Sequence, residues 1–156
     1  MTASLSAPSD VAGAFARAWN ARDADALADL FEPDAEFVNV VGLWWHNREA
    51  IRRAHAYGLA EIFPDSTLRV IRTREKALAP DVALVHALFG LVGQTPHGSV
   101  RQPGERRTVM SFVMRSGPTG WRCASAHNTD VVPGAETHVR DDDGTLRSAD
   151  YRTGSR

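Results

Sequence analysis

One cysteine, one lysine and no long apolar run occur in the 156 residues. A lone Cys123 excludes an intrachain disulfide framework. With Lys76 as the single lysine, no lysine pair is present for Schiff-base chemistry. No stretch approaches the length of a membrane span. The opening Met-Thr-Ala-Ser-Leu-Ser-Ala-Pro-Ser-Asp has neither the basic head nor the apolar core of a signal peptide, so the expected location is cytoplasmic. Charge of one sign is also missing. A formal net charge of −1 leaves no electrostatic footprint for nucleic acid or an anionic membrane, and neither is expected as a partner. The six histidines show neither His-x-His nor His-Glu-x-x-His spacing, and Asp141–Asp143 lacks the pattern of a calcium loop. There is no Gly-x-Ser-x-Gly and no Gly-x-Gly-x-x-Gly. No metal and no cofactor are therefore expected.

What remains is a chain with 43% hydrophobic and 24% charged residues, enough for one domain with a sizeable core. Residues 1–9 read as a flexible lead-in, 10–132 as the domain, and 133–156 as a polar tail, disordered or loosely docked. Ser9 or Asp10 can cap a first helix whose apolar stripe is Val11, Phe15, Ala18 and Trp19. A second short helix carries Leu27, Leu30 and Phe31, ended by Pro33-Asp34. A strand from Glu36 to Val41 follows, then Gly42 and the pair Trp44-Trp45. Asn47 caps a third helix with Ile51, His55, Leu59 and Ile62 on its inward side. Beyond Phe63-Pro64-Asp65 come strands at Ser66–Arg74, Val82–Val92, Thr108–Arg115 and Trp121–Val131, with a long loop over Gln94–Gly104. Helices followed by a meander predict an α+β fold: a curved, mostly antiparallel sheet on three N-terminal helices, with the last strand central. Such a sheet leaves a cone whose mouth is a natural small-molecule pocket.

The order helix–helix–strand–helix–strands resembles the NTF2-like superfamily. The resemblance rests on Phe-Val-Asn-Val-Val-Gly-Leu-Trp-Trp early and Gly-Trp-Arg-Cys-Ala-Ser-Ala-His-Asn-Thr late. Within it, the Trp pair and His127-Asn128-Thr129 look most similar to the SgcJ/EcaC branch of SnoaL-like proteins. That resemblance implies a homodimer through the outer sheet face and a place in natural-product biosynthesis of polyketide or enediyne type. The branch is named for oxidoreductases, yet this sequence has no dinucleotide fingerprint. Ketosteroid isomerases share the cone. Alignment with them sets Asn39 at the place of their Asp base, Phe15 at that of an oxyanion-hole Tyr, and Phe112 near their protonated Asp. An amide takes no proton at neutral pH and phenylalanine donates no hydrogen bond, so the isomerase set is absent.

The candidate catalytic residues are His127, His55 and Asn39. Strict alternation from Trp121 and Cys123 turns His127 toward the cavity. His55 lies on the apolar side of the third helix, where it can meet His127 across the cone, and Asn39 can orient a carbonyl or a water. Trp45, Trp19, Phe63, Phe89, Met110 and Phe112, with Asn128, form the expected lining. Such a lining calls for an apolar, polycyclic or polyene-like ligand. His86 suits a covered outer face, and nothing marks His46, His97 or His138. Two functions follow: a cofactor-independent cyclase, isomerase or hydratase, or a non-catalytic protein that shelters an apolar intermediate.

Overall fold

The computed structural model describes residues 4–152. Three helices, α1 (Asp10–Asn20), α2 (Ala24–Ala28) and α3 (Arg48–Tyr57), lie against one face of a six-stranded sheet. A π-helical turn, Gly58–Ile62, continues α3. The strands are β1 (Phe31–Val38), β2 (Trp44–Trp45), β3 (Thr67–Ala79), β4 (Val82–Val92), β5 (Arg106–Gly117) and β6 (Gly120–Asp130), in the order β2-β1-β6-β5-β4-β3. All neighbours are antiparallel except β1 and β6, so the sheet is mostly antiparallel with β6 inside it. The α+β reading holds.

Caps and anchors set the helix ends. Asp23 accepts from the Ala26 amide at 2.8 Å to start α2, and Asn47 accepts from Ala50 at 2.8 Å to start α3. At α1 the expected cap is missing: Ser9 makes no side-chain cap, and Asp10 instead accepts from the Ala7 amide outside the helix. The Asn20 amide exchanges two 2.8 Å hydrogen bonds with the backbone of Leu68, seating the end of α1 on β3. Arg48 donates to the Phe31 carbonyl at 2.8 Å and seats α3 on β1.

Phe31, Phe37, Phe89 and Phe112 are fully buried between the layers, each worth about 1.5–3 kcal/mol by transfer. Phe31 belongs to β1, not to the second helix as its spacing predicts. The helix stops at Ala28, and the β1–β6 register shifts between Phe31 and Glu36. A strand irregularity of this kind tolerates Pro33, which has no N–H to give to a ladder. The expected strand end at Val41 also moves, because residues 39–43 form a turn.

Of the lead-in, residues 1–3 lie outside the described residues. Leu5 is buried, and its carbonyl accepts from Trp121 N at 3.0 Å, so this segment is docked rather than free. Gly120 (φ +94°) makes the docking possible: a β-carbon there would stand 2.7 Å from the Leu5 oxygen. The tail, expected to be disordered or loosely docked, has strand structure of its own. Thr137–Arg140 (β7) and Leu146–Ala149 (β8) pair as a separate hairpin, although nothing in it reaches the core. Residues 153–156 lie outside the described residues.

Candidate functional site

The inner layer encloses a cavity of about 350 Å³ between the sheet, α1, α3 and the π-helical turn. Alternation along each strand supplies its wall: Leu68 from β3, Phe89 and Leu91 from β4, Arg106, Thr108 and Met110 from β5, Asn128 from β6. The helices add Phe15, Trp19, His55 and, through the π-helical turn, Gly58, Leu59 and Ile62. π-Helical turns inside helices occur often at functional sites. Leu43, Tyr57 and Ile62 line the cavity while 56%, 64% and 43% exposed, so the mouth has an apolar rim.

His55 sits at the aromatic centre. The rings of Phe15, Trp19, Phe37 and Trp45 surround it at centroid distances of 5.9, 6.4, 5.2 and 5.7 Å, with interplanar angles from 67 to 87°. Its Nδ1 is 2.8 Å from the Ile51 carbonyl oxygen. A carbonyl only accepts, so Nδ1 carries the proton and Nε2 is a lone-pair acceptor. Burial lowers the pKa to about 4, against a smaller upward pull from the Ile51 bond. The ring is neutral at pH 7 and lines the cavity, and Nε2 has no partner among the described residues.

His127 does not join it. The register runs Val113 to Ser125 and then Met114 to Cys123, which leaves Ala124 as an extra residue in β6. A β-bulge reverses the alternation beyond it. Cys123 is inward before the bulge and Ala126 and Asn128 are inward after it, whereas His127 is exposed on the outer face. There it stands in a cross-strand row with Val38, Ser111, His86 and Arg74. The expected His127–His55 pair across the cone is therefore not formed.

Asn39 lines the cavity, but its Oδ1 already accepts from the Val41 and Leu43 amides at 3.0 and 2.9 Å. The amide oxygen builds the turn after β1 and is not available to a ligand. The Trp pair divides in the same way. Neighbours in a strand point to opposite faces: Trp45 is inside, while Trp44 is 61% exposed, donates to Glu36 and packs on His46 at 4.8 Å. Phe112 is fully buried edge-on to Phe15 and lies behind the cavity rather than in its lining. Trp19, Trp45, Phe63, Phe89, Met110 and Asn128 do line it. Trp19 is held by its Nε1 donating to Ser66 at 3.0 Å.

Arg106 and Thr108 line the cavity without being among the expected residues, although alternation from Met110 puts both inward. Arg106 grips Asp130 through two bonds of 2.7 and 3.0 Å, which neutralises the cation at the mouth. Buried Cys123 has its thiol pKa pushed up by desolvation and gives no nucleophile. Among the described residues no three His, Cys, Asp or Glu gather as a metal site.

Residues 9–132 match the model of the SnoaL-like domain. No curated protein matches the chain. Among solved structures, an uncharacterised Caulobacter vibrioides protein with a cystatin-like fold is 28% identical, with a TM-score of 0.71 over 79% of this chain and 86% of that one. A proposed dehydratase of the NTF2-like family from Streptomyces avermitilis has a TM-score of 0.65 at 19% identity, over 78% and 91% of the two chains. A proposed scytalone dehydratase from Novosphingobium aromaticivorans has 0.66 at 12% identity, over 78% and 80%. At 19% and 12% identity the last two show the fold alone.

Proposed function

The chain belongs to the SnoaL-like domain family, and on that premise we propose that it is a cofactor-independent enzyme moving one proton on an apolar small molecule, of the dehydratase or isomerase kind. The observation that carries the reading is neutral His55 in the lining of a mostly apolar cavity, with Nδ1 bound to Ile51 and Nε2 left without a partner among the described residues. One base suffices for a β-elimination. Nε2 takes the proton next to a ligand carbonyl, the C–H pair becomes the new C=C, and the C–O bond to the β-hydroxyl breaks. The imidazolium then returns its proton to the departing hydroxide as water.

A second reading is favoured by the same residue. A base with a pKa of about 4 is weak by about 1.4 kcal/mol for each unit below neutrality. Asn39 and His127 do not reinforce it, so a protein that binds and shelters an apolar intermediate fits the cavity equally in shape. The narrower placements are also part of the proposal: the SgcJ/EcaC branch, supported by Trp44-Trp45 and His127-Asn128-Thr129, a polyketide-like ligand, and a homodimer.

Hydrogen–deuterium exchange next to the carbonyl of a bicyclic β-hydroxy ketone in D2O separates the two readings. The enzyme reading expects exchange by the wild type, at least tenfold slower exchange by His55→Gln, and unchanged exchange by the exposed His127→Ala. Binding of the ketone without exchange would leave the sheltering role.

A further inference from the structure

Asn128 Oδ1 is the one buried side-chain polar atom without a hydrogen-bond partner among the described residues. Native interiors rarely leave such an atom alone, and each one asks what completes it. It projects from β6 beside Met110, whose Cα is its cross-strand partner, and both residues line the cavity. His55 Nε2 is a second acceptor on the same cavity with no bond to a described residue, since Nδ1 holds the proton for Ile51. The Asn39 acceptor and the one cation of the lining are already engaged. Asn39 Oδ1 serves its own turn, and the Arg106 fork is closed on the Asp130 carboxylate.

We propose that the cavity selects a neutral, apolar ring compound carrying at least two hydroxyl or N–H donors, one for Asn128 Oδ1 and one for His55 Nε2. This rests on the small-molecule site proposed above in its sheltering reading, because a donor on Nε2 occupies the one lone pair that an eliminating base would use, and it names the ligand class. A carboxylate would bring lone pairs against lone pairs, with no free cation at the lining to receive it. A ring compound without donors would fill the apolar walls but leave both acceptors dry. At about 350 Å³ the cavity is near the lower end of small-molecule sites, which suits two fused rings better than four.

The probes are naphthalene, 2-naphthol, 2,7-dihydroxynaphthalene, its dimethyl ether and 2-naphthoate, read by quenching of Trp19 and Trp45 fluorescence at pH 7. The diol is expected to bind tightest, with about a tenfold loss for each donor removed or methylated, and the naphthoate weakest. Asn128→Leu removes the orphaned acceptor at similar volume. It should cut the preference of diol over 2-naphthol below threefold while naphthalene binds as before and the melting temperature does not fall. Equal binding of diol and dimethyl ether to the wild type overturns the inference, as does a diol preference that survives in Asn128→Leu. If none of the five probes binds, the small-molecule site itself falls, and this inference with it.

Discussion

His55 is neutral because four aromatic rings replace the water that would solvate its cation. That has a pH consequence with a definite sign. The unfolded ring titrates near 6.5 and the folded ring near 4. Between those values the unfolded chain binds the extra proton, so stability is intact above pH 6.5 and declines as pH falls toward 4. The full loss is about 3 kcal/mol at 1.36 kcal/mol per unit. Urea melts of wild type and His55→Gln across pH 4–7 isolate the effect, because the carboxylate contributions cancel in the difference. The wild type should lose its advantage over the variant on acidification, and a pH-independent difference would place His55 in water. His55 was legible from the sequence because a helix face is robust over two turns. His127 was not: one inserted residue, Ala124, reverses every side chain after it, and no composition signal marks a bulge.

At the scale of elements, the strands were readable from their alternation, but their joints were not. Pro33 looks like a helix stop yet sits in an irregular stretch of β1, where a missing N–H costs little. Thr108 lay one alternation step from Met110 and Arg106 two. The C-terminal hairpin had no apolar pattern to announce it, and its hydrogen bonds explain why. Glu136 N to Ala149 O, Arg147 to Asp141 and Arg152 to Glu136 are internal, and among the described residues its polar contacts do not reach beyond Val132. A chain ending at Val132 keeps the bond from Val131 N to the Arg107 carbonyl, which closes the β5–β6 ladder. It should melt within about 2 °C of the full chain, a shift below 1 kcal/mol for a domain of this size. A drop beyond about 5 °C in a calorimeter would mean that the hairpin supports the core.

For the whole molecule, the sheet has a second face that its own helices do not cover. Alternation puts Leu84 and Leu88 of β4 there, opposite Val113 and Val109 of β5, all four half-buried at most. Cations lie to one side, with Arg72, Arg74 and Lys76 on β3. To the other side are the carboxylate of Glu36 and the exposed indole of Trp44 at the β2 edge. A two-fold axis through the middle of this face would set each basic side against the partner's acidic side and bury the apolar centre, as a self-complementary interface requires. This arrangement supports the proposed homodimer. Sedimentation should find dimer at micromolar concentration, and Leu88→Glu should shift it to monomer, since a charged side chain would then have to be desolvated within the apolar part of the interface. The cavity lies on the opposite face of the sheet, so ligand quenching of Trp45 in the monomeric variant should stay within about twofold of the wild type. A wild type that remains monomeric at 100 μM would leave the apolar stripe without this partner, and the outer face would then be only a tolerated surface.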